Sequence, residues 1–319
     1  MELTPDEVKD VFSDWWIRDC AIRGHESLSF LLLEDNKNSA GGKCKIVNFF
    51  PSNPTSKRIG WQRFNGFRSP ILEASRQPLN QAIVVSLDCD VGVLGAGATG
   101  LENNIPNGKS TDCMNTSCQG LKTIDGVLYA TGGWRSVCRR IGANRWENIV
   151  SRKSMPLPAQ LDYGGTDGGF RAIDGFSQKD IYCVGGLGDV WRYDGEHWYA
   201  CNVPTNMVLH TVCCAGDGYV YIGMQMGSIM RGREDSWEII HKGDLSLPFR
   251  DMVWYQGKVW CTSDYGLWVI EGGKLREVDE FGPEVYARSG SLAVGDGLML
   301  LAGLHGATIY DGKKWSTIL

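Results

Sequence analysis

Short apolar runs of four to seven residues alternate along the chain with turns rich in Gly, Asp and Asn. Runs this short and glycine-bounded predict strands, because a helical repeat would need apolar positions at 3.6-residue spacing. The runs also recur. Gly188 lies in IYCVGGLGDVWRYDGEHW, Gly227 in VYIGMQMGSIMRGREDSW, Gly266 in VWCTSDYGLWVIEGGKL and Gly306 in LMLLAGLHGATIYDGKKW, at spacings of 39, 39 and 40 residues. A more divergent copy, LYATGGWRSVCRRIGANRW, occupies residues 128–146.

Each copy follows one grammar. A first apolar run (KTID, FRAID, HTVCCA, RDMVWY or SLAV) leads into a turn, often with glycine, as at Asp217-Gly218 and Asp296-Gly297. A second run ends on small residues and a glycine, and a third begins at once. An Asp-Gly turn and a tryptophan then open a fourth, as in Asp194-Gly195…Trp198 and Asp311-Gly312…Trp315. Four antiparallel strands joined by tight turns result. Such a unit cannot bury both faces alone, so neighbours must stack, and four-stranded units of about 40 residues are the blades of a β-propeller.

The expected fold is therefore all-β, a single propeller over residues 1–319 with seven blades; six is the alternative. Five blades are readable over residues 116–319. Residues 16–115 hold SLSFLLLED, KCKIVNFF, IGWQRF, AIVVSLD and VGVLGAG, enough for two irregular blades with longer loops. The first 15 residues predict a short helix outside the ring, with Thr4 as N-cap, Pro5 in the first turn, and Asp6 and Glu7 near the positive end of its dipole.

Charge and cysteine content narrow the function. A net charge of −5 argues against a dedicated nucleic-acid binder. The cysteines number eleven, several of them inside apolar runs (Cys183, Cys213, Cys214, Cys261), and no Cys-x-x-Cys pair occurs. Cys113 and Cys118 lack a matching second pair. Buried free thiols in a reducing compartment are expected, without a metal. The segment MELTPDEVKDVFSDWW has no apolar core, so no signal peptide is expected, and no run approaches the roughly 20 apolar residues of a membrane helix. A cytoplasmic protein is the expectation.

Motifs that suggest chemistry give way to plainer readings. Gly95-Ala96-Gly97-Ala98-Thr99-Gly100 fits a dinucleotide fingerprint, but Pro106 and Gly108 stand where its helix would run, so a turn between strands explains the glycines better. Gly108-Lys109-Ser110 resembles the end of a phosphate loop, yet Asn103 replaces the required glycine. His25, His197, His210, His241 and His305 have no metal-ligand spacing, and no G-x-S-x-G occurs. No cofactor is expected.

At the Asp-Gly-x-x-Trp turns, DIYCVGGLGDVWRYDGEHW and LMLLAGLHGATIYDGKKW resemble bacterial BNR-like and YVTN-type propeller repeats, over about two thirds of the chain. Tyr193-Asp194-Gly195-Glu196-His197-Trp198 keeps the Asp, Gly and Trp of the sialidase Asp-box without the full box, and the Gly-Gly pairs at 132–133 and 185–186 are similar to those of kelch repeats. The resemblance implies a fold and no activity. The arginine triad, tyrosine and acid of a sialidase cannot be assigned here.

Blade register points to a binding face. The turn between strands two and three shares a face with the start of strand one. Before the register glycines sit Leu187, Met226, Tyr265 and His305, with Trp134 in the divergent copy; the starts of strand one offer Arg171, His210, Arg250 and Arg288. Aromatic, Met and Arg side chains are favoured in interface cores. The plainer alternative is packing between blades and capping of neighbouring carbonyls.

The expected function is a non-enzymatic, protein-binding propeller. Its resemblance to stand-alone propellers that act as toxin antidotes implies a bacterial immunity protein whose partner is a toxin domain encoded nearby, with no nucleic-acid or membrane partner. The alternatives are an assembly factor or scaffold, and a glycan-acting enzyme using the central channel.

Overall fold

The structure, a computed structural model, describes residues 2–35, 42–109, 112–157, 162–163, 166–264 and 266–319. Seven four-stranded antiparallel sheets follow one another along the chain, each in simple up-and-down order. Blade 1 spans residues 15–64, blade 2 71–102, blade 3 118–148, blade 4 170–200, blade 5 209–241, blade 6 251–277 and blade 7 290–317. The first strands of successive blades contact one another and line the central channel. The segments read from residues 27–97 as strands are strands of blades 1 and 2, so the count is seven. The glycine run 95–100 is the turn between the last two strands of blade 2, Val91–Gly95 and Gly100–Glu102. Lys109 lies in the loop that follows; Ser110 falls outside the described residues.

The Asp-Gly-x-x-Trp turns have a structural explanation. Asp194 Oδ1 accepts the N–H groups of Glu196 and His197 at 2.8 and 2.7 Å, and Asp311 Oδ1 those of Lys313 and Lys314 at 2.8 and 2.9 Å. The aspartate thus serves donors that the tight turn would leave unmade. Tyr193 stacks on Trp198, and Tyr310 on Trp315, each with ring centroids 4.9 Å apart. The glycines that end strand two have a different cause. A Cβ on Gly132, Gly185 or Gly303 would collide with the carbonyl oxygen of Ser117, Gly169 or Ser289, where the chain enters the inner strand.

Among the described residues no strand is exchanged to close the ring: blade 1 is wholly N-terminal and blade 7 wholly C-terminal. Their shared core is completed by Leu3 and by the helix Pro5–Phe12, whose Val11 and Phe12 are buried among Phe30, Phe49, Leu298, Ile309 and Ile318. The helix thus sits against the seam of the ring. Thr4 and Glu7 form the capping box, Arg58 grips Glu7 (Nε–Oε1 2.6 Å) and lowers its carboxyl to about 2, and the buried Lys45 ammonium donates to the last-turn carbonyl of Val11.

Blades 2 and 3 are joined by a buried charge pair. The Arg140 side chain is fully buried, and its Nη2 donates to Glu102 at 2.6 Å and to Gln81 at 2.9 Å. Removing one partner of such a pair leaves an uncompensated buried charge. Glu102→Ala is expected to cost about 3–5 kcal/mol in chemical denaturation; a loss below about 1 kcal/mol would show the pair to be dispensable.

Candidate functional site

The channel and the face onto which it opens form the candidate site. Backbone bonds show that strand 2–3 turns and the starts of inner strands share this face. Trp134 N–H donates to Gly168 O at 2.7 Å, Gly188 N–H to Met207 O at 2.9 Å, and Leu245 N–H to Met226 O at 3.1 Å. Each bond ties a turn to the segment entering the next blade.

The turn residues separate into exposed and engaged ones. Leu187 is 48% exposed and Met226 52%, and His305 is exposed beside Leu304, itself 62% exposed. Trp134 is half-buried at a positive φ of 56°. Its neighbour Arg135 pairs with Asp189 of the next blade through two 2.8 Å bonds, and the Arg135 guanidinium lies 4.9 Å over the Trp191 ring. Tyr265 lies outside the described residues. Leu304 carried no sequence signal beyond its place beside His305.

The strand-start residues also divide. Arg171, His210 and Arg250 line a cavity of about 500 Å3 in the channel. Arg288 does not line it: its Nε donates to Leu319 O at 2.9 Å and its Nη1 to Glu284 O at 2.6 Å, so it caps carbonyls. Arg250 is shared between roles, pairing with Asp264 at 2.8 Å and donating to Arg18 O. Channel residues that escaped the sequence reading include Arg18 and Gln119, with Asp19, Glu73, Lys122 and Asp251 deeper in the channel.

These side chains reach the channel for a local backbone reason. In blade 1, Ile17 and Asp19 oppose consecutive residues Leu32 and Leu31, which leaves Arg18 as the extra residue of a β-bulge. The same irregularity falls at Gln119 in blade 3, Arg171 in blade 4 and His210 in blade 5. A bulge re-aims one side chain out of the normal alternation. Burial, and then the charge of Arg171, push His210 down to about 4, so its imidazole is neutral at pH 7.

Carboxylates and one lysine also line the cavity. Asp19 accepts from Cys20 N–H and, across the blade boundary, from Leu72 N–H, both at 2.9 Å. Asp251 accepts from Met252 N–H at 3.0 Å and Leu292 N–H at 2.9 Å, and Asp174, next to the lining residue Ile173, from Gly175 N–H at 2.9 Å and Cys214 N–H at 2.8 Å. Each aspartate therefore bridges two adjacent inner strands. Glu73 accepts from Ala74 N–H at 2.7 Å. Desolvation raises Glu73 to about 7 and Asp251 to about 6. Among these acids Asp174, then Glu73 and Asp251, hold the Lys122 ammonium in its charged form against its own desolvation.

A carboxyl raised on folding takes up protons as the chain folds, so its contribution is favourable at acid pH and is lost as pH rises through the raised value. For Glu73 the window runs from the ordinary carboxylate range up to about 7. Glu73→Gln is expected to raise the melting midpoint at pH 8 by about 2–4 °C relative to its effect at pH 5. Parallel profiles for variant and wild type would contradict this placement of Glu73.

Among the described residues no cluster of three or more His, Cys, Asp or Glu side chains has metal-binding geometry, and no helix is long and apolar enough to cross a membrane. All eleven cysteines are free thiols, nine of them buried.

No protein-family model matches the chain. Among solved structures it is similar to PorZ, a surface component of the type IX secretion system of Porphyromonas gingivalis. That likeness has a TM-score of 0.56 at 10% identity and covers 96% of this chain and 38% of that one. It shows the fold alone. YCF48, solved with a D1 peptide, matches with a TM-score of 0.48 at 13% identity, over 78% of this chain and 84% of that one. The sequence is 34% identical over 242 residues to the immune protein Tsi7 of Pseudomonas aeruginosa, covering 76% of this chain and 77% of the relative. With that identity over three quarters of both proteins, the chain belongs to the family of the immune protein Tsi7.

Proposed function

We propose that this chain is a cytoplasmic immunity protein that binds a toxin encoded nearby and neutralises it without catalysis. Membership of the Tsi7 family supports the class of function. The observation that supports the binding face is the set of exposed apolar tips, Leu187, Met226 and Leu304, on the strand 2–3 turns of blades 4, 5 and 7 around a channel mouth rich in arginine. Apolar side chains grouped on one face and rimmed by polar groups mark a protein-interaction site.

Of the residues expected on this face, Leu187, Met226 and His305 are the free contacts, with Arg171 and His210 at the centre. Trp134, Arg250 and Arg288 shape the rim through their own hydrogen bonds. The carboxylates in and beside the channel accept backbone N–H groups, three of them across blade boundaries, and this supports a structural rather than a catalytic role. The test is binding between the purified chain and the toxin domain of the adjacent gene. A one-to-one complex is expected, with the toxin's activity lost in it; an unbound, fully active toxin would overturn the reading.

A further inference from the structure

The guanidinium groups of Arg18 and Arg171 are unusual among the arginines of this protein. Both are half-buried at the channel mouth, and neither makes a hydrogen bond or ion pair with any described residue. Most other arginines pair with a carboxylate or a carbonyl, as Arg250 and Arg288 do on the same face. Removing a cation from bulk water without supplying an acceptor is costly, and a guanidinium presents five donors in a fixed fork.

Chain geometry spends four β-bulges on this arrangement. Arg18, Gln119, Arg171 and His210 each occupy the extra position of a bulge on a different inner strand. Bulges turn side chains towards sites that regular pleating would not serve. The acids near them are already committed: Asp264 pairs with Arg250, and Asp19 holds two backbone N–H groups. Glu73, Asp251 and Lys122 line the same cavity, and there Lys122 offsets the acids.

We propose that the channel mouth binds a small polyanion bearing two or more carboxylate or phosphate groups, held by Arg18 on one side and by Arg171, His210 and Gln119 on the other. A cavity of about 500 Å3 is of the size that encloses small ligands. Guanidinium forks bind carboxylate and phosphate oxygens bidentately, and the amide and imidazole add neutral hydrogen bonds. The neutral His210 gives the site a built-in reporter, because an anion beside it favours the imidazolium.

The probes are citrate and tripolyphosphate, titrated into the full chain at pH 7 and about 0.15 M salt, where screening suppresses diffuse attraction. Calorimetry is expected to give saturable binding of at least one of them. Whichever binds more tightly tells whether the site prefers carboxylate or phosphate. The double variant Arg18→Gln/Arg171→Gln is expected to bind at least about tenfold more weakly, a loss of about 1.4 kcal/mol or more. Arg139→Gln, on the outer part of blade 3, is expected to leave binding unchanged. In the wild-type protein the His210 imidazole resonances, assigned with His210→Asn, are expected to shift and its pKa to rise from about 4 on saturation. This reading needs no folded double variant. Absence of saturable binding by either probe, an unmoved His210, or equal losses in the Arg139 and double variants would overturn the proposal. Toxin binding is measured separately, so failure of the polyanion site is distinguishable from failure of the toxin reading even though Arg171 and His210 belong to both surfaces.

Discussion

A chain lacking residues 2–12 is expected to lose cooperative unfolding, or to unfold at least about 5 kcal/mol more easily than the full chain. The ring closes between two complete blades without an exchanged strand, so the seam depends on side-chain packing. Leu3, Val11 and Phe12 fill it, and Leu3 N–H bonds Ile318 O at 2.9 Å. Truncating one buried phenylalanine alone costs about 3–5 kcal/mol. The deletion also strands Lys45, whose fully buried ammonium would lose the Val11 carbonyl, and leaves Arg58 without Glu7. Phe12→Ala separates the packing term from the charge terms and is expected to account for about 3 kcal/mol of the loss. Denaturant unfolding followed by tryptophan fluorescence reads both. If the deletion changes stability by less than about 1 kcal/mol, ring closure rests on the inner strands alone.

The second large effect concerns the proposed face. Leu187→Asp/Met226→Asp is expected to weaken binding of the cognate toxin by at least about a hundredfold while leaving the melting midpoint within about 2 °C of wild type. Both side chains are about half exposed on turn tips, so their replacement removes no core contact, whereas a buried charge at an interface centre is costly. The backbone allows it too, because Met226 already sits at a φ of 61°, where aspartate is better tolerated than most residues. Surface plasmon resonance of wild type and variant against one immobilised toxin supplies the ratio. Equal affinities would move the interface off this face.

The regular blades were legible because each repeats one turn chemistry at a fixed spacing. Asp194 and Asp311 cap two N–H groups each, and the glycines at 132, 185 and 303 are demanded by a close backbone approach. Blades 1 and 2 hide their inner strands. Trp15–Gly24 carries Arg18, Asp19 and Arg23, which break its apolar pattern. The reasons differ: Arg18 and Asp19 line the channel, whereas Arg23 is buried and donates to the Asn80 and Leu94 carbonyls of blade 2.

The candidate site was legible only in outline. Strand 2–3 turns bond the segments that enter the next blade, but register could not separate Arg171, which has no hydrogen bond to a described residue, from Arg288, which caps the Leu319 carbonyl. Arg18 was missed because a bulge has no residue signature and the flanking sequence has no recognisable repeat. The bridging aspartates fall at different offsets, Asp19 and Asp251 directly after an arginine and Asp174 three residues after one, so no single spacing marks them. Their partners are backbone N–H groups of the next blade, which only the folded ring supplies.

The family assignment gives this architecture its purpose, and neutralisation of a toxin is the central claim. It is tested most directly by growth of cells that express the toxin domain of the adjacent gene, with and without this chain. Full growth with the wild-type chain, and killing when Leu187→Asp/Met226→Asp replaces it at equal abundance, is the result the account predicts. Killing that proceeds unchanged in the presence of abundant, folded wild-type chain would contradict it.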